Sequence, residues 1–173
     1  MKKILITVLC FGFTLFINAQ EKVHWVSFEK AIELNKSNPR PILIDIYTDW
    51  CGWCKKMDRD TYANTTIVNF INKNYYAVKF DGEGKDPITY KEYTFKLNSK
   101  GRSKYHELGA LLMNGKLAYP TTVIMNKEEK LLDRIPGYLN PKKMEMVLAY
   151  FVKKDRKTKG WGKFSKNFKS KIE

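Results

Sequence analysis

The chain has 173 residues, 43% of them hydrophobic, with ten tyrosines and ten phenylalanines. That is enough for one domain with a real core, and it excludes a disordered tail. The formal charge of +14 suits an anionic partner or membrane surface, but no nucleic-acid motif and no internal repeat accompany it, so nucleic acid is set aside and the basic surface is read mainly as solvation.

Lys2 and Lys3 precede an apolar stretch over residues 4–17, and Asn18-Ala19 meets a polar break at Gln20. The pattern predicts a secretory signal cleaved after Ala19, hence a periplasmic or secreted protein. The stretch is shorter than the roughly 20 residues a membrane span wants, and an uncleaved anchor is the alternative. Cys10 lies inside it, behind Thr7-Val8-Leu9 and not behind the small residues of a lipoprotein cleavage box. Cleavage therefore leaves only Cys51 and Cys54. The expected organisation is a signal over residues 1–19, a core domain over 20–152 with an insertion at about 82–119, and a basic tail over 153–173.

Val23, Trp25 and Val26 begin the mature chain as a short strand or docking arm. Ser27 caps a helix to about Lys36, with Phe28, Ala31, Ile32 and Leu34 on its apolar face. Asn38-Pro39-Arg40-Pro41 stops it. Residues 42–47 form a near-continuous apolar run, as expected of a strand covered on both faces. Asp45 interrupts that run, and a carboxylate in a core strand is costly unless something uses or neutralises it. A helix follows from Cys51 to about Arg59. A second helix, capped by Asn64 or Thr65, carries Ile67, Val68, Phe70 and Ile71, and a strand covers residues 75–81.

The segment over residues 82–119 is too long for a structureless loop. A helix over about residues 88–97, a polar turn over 98–103 and a second helix over about 104–113 are predicted to fill it, with Asn114-Gly115 as the stop. Residues 120–126 and 131–135 then read as a hairpin, and Asn140-Pro141 opens the last core helix, which carries Met144, Val147, Leu148, Phe151 and Val152. The tail holds nine lysines or arginines against Asp155 and Glu173. Trp161, Phe164 and Phe168 fall there at near-helical intervals, so it is expected to dock as a short amphipathic helix.

Cys51-Gly52-Trp53-Cys54 lies where the first core strand gives way to its helix. Residues three apart share a helical face and are close enough for a short disulfide ring. Cys51 falls on the helix N-terminus, where unpaired N–H groups and the helix dipole favour a thiolate, and Cys54, one turn in, is expected to be more buried. One cysteine is then an attacker and the other a resolver. The alternatives are a structural disulfide and half of a metal site. A bond closing so short a loop restricts the unfolded chain little and makes a poor staple. Two cysteines with His24 and His106 fit a zinc inventory, but zinc-site histidines usually come as a close pair and these lie far apart on either side of the cysteines. Neither metal nor cofactor is expected.

The order strand–CxxC–helix–strand–helix–Pro-strand–strand–helix is carried by Asp45, Trp50-Cys51-Gly52-Trp53-Cys54-Lys55, Tyr119-Pro120-Thr121 and Pro136-Gly137-Tyr138. Over about residues 27–152 it resembles the thioredoxin family. With Lys55-Lys56-Met57 it is closest in style to the exported thioredoxin-like domains of bacterial thiol:disulfide interchange proteins. The resemblance implies an α/β thioredoxin fold, a central mixed sheet flanked by helices, with a helical insertion before the cis-proline strand. It implies that Cys51 is the nucleophile, that Cys54 resolves, and that Asp45 is the buried acid that takes the resolving thiol's proton, with Lys79 as its candidate ionic partner. Pro120 matches the family's cis-proline, Tyr119 offers its backbone to an extended substrate segment, and Trp50 and Trp53 frame the thiol.

Three departures flank the expected groove: Gly-Trp between the cysteines in place of Gly-Pro, the long segment before Pro120, and the bulky Tyr119. The activity expected is that of an exported thiol–disulfide oxidoreductase, a monomer that reduces protein disulfides and is kept reduced by a membrane thiol electron donor, its basic tail in weak contact with anionic membrane. The alternatives are an oxidase or isomerase using the same cysteines, and a non-catalytic thioredoxin-fold binding module.

Overall fold

The computed structural model describes residues 21–101, 103–153 and 160–173. The expected signal and its cut after Ala19, Cys10, and residues 154–159 of the tail lie outside the described residues. In chain order, β1 (Trp25–Val26) leads to α1 (Phe28–Ser37), β2 (Ile42–Tyr47), α2 (Gly52–Asp60), α3 (Thr65–Asn74) and β3 (Tyr76–Asp81). After these come β4 (Ile88–Tyr90), β5 (Tyr93–Phe95), β6 (Leu97–Asn98), β7 (Tyr105–His106) and α4 (Glu107–Leu112). The chain closes with β8 (Thr121–Met125), β9 (Leu131–Pro136), α5 (Pro141–Val152) and α6 (Trp161–Asn167).

The main sheet has the order β1–β3–β2–β8–β9. β1, β3 and β2 run parallel, while β8 and β9 are antiparallel additions. β2 is central, and alternation along it sends Leu43 and Asp45 to one face and Ile42, Ile44 and Ile46 to the other. The first face packs under α2, α3 and α5 with Met57, Ile67, Ile71, Ile124, Met144 and Leu148. The second packs under α1 and α4 with Phe28, Val78, Phe80, Leu108 and Val123. Each fully buried aliphatic side chain contributes about 1.5–3 kcal/mol, so this double cover fixes β2 and everything mounted on its C-terminal end.

The helix starts follow their caps: Ser27, Asn64 and Asn140 each accept backbone N–H groups of the first turn. Two buried side-chain bonds tie α5 to the face it covers. Thr61 Oγ1 donates to the Leu139 carbonyl at 2.7 Å, and the Tyr75 hydroxyl donates to the Leu148 carbonyl at 2.8 Å. The tail docks through Phe164 and Trp161, whose rings lie 5.3 and 5.2 Å from that of Tyr150. Beyond α6, Ser170 Oγ and the Lys171 backbone N–H donate to the carboxylate of Glu145, which is only 3% exposed.

The helix expected over residues 88–97 is not there. The segment folds as the antiparallel hairpin β4–β5 followed by the short pair β6–β7, and among the described residues the insertion's one helix is α4. Ile88, Tyr90 and Phe95 pack against the α1 side of the core, which suits the β-branched and aromatic content of the stretch. The turn is made by Lys91 and Glu92 at φ 49° and 65°. Tight hairpins of this kind are normally marked by Asn-Gly or Asp-Gly, so the sequence lacked the usual sign of one.

Candidate active site

β2 ends at Tyr47, and a short turn, in which the Cys51 N–H donates to the Thr48 carbonyl at 3.1 Å, carries the chain up to α2. Cys51 is the N-cap: its backbone is extended, at φ −75° and ψ 103°, and its Sγ accepts the Cys54 N–H at 3.1 Å. The donors that every helix leaves free at its start are thus aimed at this sulfur. Cys51 and Cys54 are joined in a disulfide with their Cα atoms 5.3 Å apart. Both are buried, at 4% and 2% exposure. Once the bond is reduced, the same N–H groups favour a thiolate on Cys51.

Under α2, a polar row crosses three strands. Lys79 of β3, Asp45 of β2 and Thr122 of β8 are register neighbours on the face that carries α2. Asp45 is 1% exposed, and its Oδ2 accepts from Lys79 Nζ at 2.7 Å. Lys79 also donates to Asp58 of α2, and its ammonium lies 5.2, 5.0 and 5.2 Å from the ring centres of Trp25, Tyr47 and Tyr62. Burial raises the Asp45 carboxyl above the ordinary carboxylate range, and the attraction of Lys79 only partly offsets this. Burial alone would lower Lys79, but Asp45 and Asp58 more than reverse it, so the ammonium is held charged.

The rim beside the disulfide has a different character. The Tyr119–Pro120 bond is cis. The Tyr119 ring packs against Gly82, where a Cβ would stand 2.5 Å from Tyr119 Cε1, so any larger residue there must push the ring aside. Trp50 packs edge-on to Tyr119 at 5.8 Å, and its Nε1–H donates to Glu83 Oε1 at 3.1 Å. Burial, reinforced by Glu83 and Asp81, pushes the Tyr119 phenol up to about 12. Trp50, Glu83, Ser103, Lys104, Leu117 and Tyr119 line a groove of about 530 Å³. Trp53 turns the other way, onto Tyr138 at 5.6 Å. The two tryptophans therefore flank the cysteines on separate supports instead of forming one aromatic wall.

The structure thus gathers Cys51, Cys54, Trp50, Tyr119 and Pro120 around the start of α2 and sets Asp45 with Lys79 beneath it. Sequence reading missed Asp58, Tyr62, Gly82, Glu83 and Thr122. Asp58, four residues after Cys54, was findable from helical spacing. Thr122 required the β2–β8 register, and the Gly82–Tyr119 contact required the fold. Neither histidine joins the site. His106 caps α4, its Nδ1 accepting the Leu108 N–H at 3.2 Å while Nε2 faces the Asp86 carbonyl, and His24 is exposed beside Glu21.

Comparison with known proteins agrees with this geometry. The disulfide bond reductase DsbH of Chlamydia pneumoniae is 25% identical over 118 residues, covering 68% of this chain and 64% of that protein. The thiol:disulfide interchange protein DsbD of Pectobacterium atrosepticum is 24% identical over 117 residues, covering 66% of this chain but 17% of DsbD. The chain spans only 12% and 10% of the length of the first two curated relatives it matches. In fold, a thioredoxin from Thermus thermophilus superposes with a TM-score of 0.56 at 11% identity, covering 78% of this chain and 90% of that one. The family model Thioredox_DsbH, described as a protein of unknown function, DUF255, matches residues 13–152. With its disulfide-forming pair at the head of α2 and this match over most of its length, the chain belongs to the Thioredox_DsbH family and has the thioredoxin fold.

Proposed function

We propose that this protein is an exported thiol–disulfide oxidoreductase that reduces disulfides in other proteins. The observation that carries the reading is the Cys51 sulfur, seated as a helix N-cap, accepting the Cys54 N–H and bonded to Cys54. In the reduced protein the Cys51 thiolate attacks one sulfur of a substrate disulfide. The S–S bond breaks, and the departing substrate thiolate takes a proton from solvent. Asp45 accepts the proton of the Cys54 thiol, directly or through solvent, and the Cys54 thiolate attacks Cys51. The second substrate thiolate leaves and is protonated. The substrate has gained two electrons, and Cys51–Cys54 is oxidised, as in this structure. A dithiol donor, which we place at the membrane, must then reduce it again.

The substrate segment lies extended along the groove, its backbone pairing with that of Tyr119 beside Pro120 while Trp50 covers its flank. The reductase direction is supported by the likeness to a protein named as a disulfide bond reductase, and export by the charged and apolar start of the sequence. Cys54→Ala tests the chemistry: it should leave protein partners covalently held on Cys51 and releasable by dithiothreitol, and no adducts beyond those of Cys51→Ser would remove the reading. Equilibrating the protein with glutathione buffers tests the direction, since a potential near −120 mV, the value of strong oxidants, is incompatible with a reductase.

A further inference from the structure

The buried row under α2 holds more polar atoms than the scheme above uses. Oδ2 of Asp45 is taken by Lys79, but Oδ1 is fully buried and makes no well-formed hydrogen bond. Four buried hydroxyls among the described residues share that condition, on Thr48, Tyr62, Tyr119 and Thr122, and two of them belong to this row: Thr122 Oγ1, on a residue 0% exposed, and the Tyr62 phenol, on a residue 6% exposed. They are not scattered. Thr122 is the cross-strand neighbour of Asp45 on the same face of the sheet, a placement that brings Cβ atoms to about 4.5–5.5 Å. The Tyr62 hydroxyl lies within hydrogen-bonding reach of both Asp45 and Thr122, and its ring centre lies 5.2 Å from Lys79 Nζ.

Leaving three polar atoms buried and unpaired together is costly, and native proteins rarely do it. Here the cost depends on where a proton is. An ionised carboxylate only accepts, with room for several donors on each oxygen. Hydrogen bonds to a charged acceptor are roughly twice as strong as neutral ones. A phenol and a threonine hydroxyl both turn their hydrogens by rotation about a single bond, with no change in the backbone. A charged Asp45 therefore draws both hydrogens to Oδ1, and a protonated Asp45 releases at least one of them.

We propose that Tyr62 and Thr122 are positioning residues for Asp45, a pair of hydroxyl rotors that clasp Oδ1 while it is ready to take the Cys54 proton and relax once it holds that proton. The proposal rests on the reading of Asp45 as the proton acceptor. Among the described residues, the other titratable groups acting on this carboxylate are Lys79 from β3 and Asp58 from α2, the helix that also carries the Cys51–Cys54 pair. Tyr62 also lines a surface cavity of about 390 Å³ with Trp25, Asp58 and Lys79, which gives the accepted proton a way out on the Tyr62 side. Tyr62 and Thr122 bring neutral, rotatable donors to the carboxylate, so their removal changes its proton affinity without changing the charge of the site.

The test uses the chain from Gln20 onward, loaded on Cys51 as a mixed disulfide with glutathione. The rate at which Cys54 expels the glutathione is followed against pH, and the Asp45 carboxyl is titrated by carbon NMR in the same variants. Tyr62→Phe and Thr122→Val should each move the Asp45 titration and the rate inflection to higher pH and slow release several-fold at pH 7. Thr122→Ser should restore wild-type behaviour. Wild-type titration and profile in folded Tyr62→Phe and Thr122→Val, with Asp45→Asn abolishing the inflection, overturn the clasp and leave the Asp45 reading intact. An inflection that survives Asp45→Asn overturns that reading instead, and the NMR titration of Tyr62→Phe then still decides whether the hydroxyls hold the carboxylate.

Discussion

The two sulfurs sit between unlike surroundings. Beneath α2, Asp45, Lys79, Tyr62 and Thr122 form a buried polar row in which each charge is matched and exposure is near zero at Asp45 and Thr122. Beside the disulfide, Trp50 and Trp53 are 66% and 60% exposed, large apolar surfaces left in water. Low dielectric below strengthens every interaction with a moving proton. The faces these aromatics leave in water add little to folding and suit contact with another polypeptide. One region should govern pH dependence and the other recognition, and substitutions can separate them.

Substitution at the sulfurs has the largest expected effect, because both regions act only through them. Cys51→Ser should reduce disulfide reduction to background in a turnover assay, while Cys54→Ala should halt it at the covalent intermediate. Asp45→Asn comes next. General-base assistance is worth roughly 10²–10⁴-fold, so the resolving step should slow by about 100-fold near neutral pH while the affinity for substrate holds.

The same variant carries a stability prediction of opposite sense. Burial holds the Asp45 carboxyl above its ordinary value of 3.8, so the folded protein keeps a proton that the unfolded chain gives up. Stability from this group is therefore fullest below that value, falls as pH rises through the raised folded value, and is level beyond it. Asparagine removes the dependence, and Lys79 retains Asp58 as a partner. Asp45→Asn should thus melt higher than wild type at pH 8, and the gap should close toward pH 3. A lower Tm for the variant at both pH values would mean that the Lys79 pair outweighs the burial cost, contrary to this account.

On the rim the expected effects are smaller and of another kind. Trp50→Ala removes a largely exposed indole from the wall of the groove, so KM for a protein substrate should rise several-fold with the pH profile unmoved. Gly82→Ala reaches the rim from behind: its Cβ would meet Tyr119 at 2.5 Å and force the ring outward. Overpacking of this kind costs about 1–3 kcal/mol, and the variant should lose stability and raise KM together. A shifted pH profile in Trp50→Ala would erase the division between the two regions.

The buried region was more legible in the sequence than the rim. Asp45 declared itself as a charge within an apolar strand, and the spacing of Cys51 and Cys54 ahead of a helix needed no tertiary information. Lys79 was reachable because consecutive parallel strands place it opposite Asp45. Tyr62 and Thr122 were not, because a tyrosine after a helix and a threonine in a strand are ordinary in both roles until the register is known. The rim depends on residues 82–119, where the reading held for the helix at Glu107–Leu112 but failed over residues 88–97. A run such as residues 88–97 satisfies helical and strand patterns alike, and what decided it was packing of Ile88, Tyr90 and Phe95 on a core that local sequence does not reveal. Glu83, which holds the Trp50 indole, sits at the start of that segment.

The tail sharpens the comparison by belonging to neither region. Phe164 and Trp161 are committed to Tyr150, and Ser170 and Lys171 to Glu145, so the aromatic face of α6 is used in docking. Lys163, Lys166 and Lys169 are left exposed. What the tail offers an anionic bilayer is therefore charge without an inserted helix, worth about 1 kcal/mol for each lysine near the surface and screened by salt. Changing these three lysines to glutamine, which spares the docking contacts, should leave turnover, KM and Tm within error. Co-sedimentation with vesicles rich in phosphatidylglycerol at low salt should fall by roughly tenfold or more, with no binding to phosphatidylcholine vesicles in either protein. Equal binding by the two proteins to anionic vesicles would place any membrane contact elsewhere on the molecule and leave the lysines as a solvated surface.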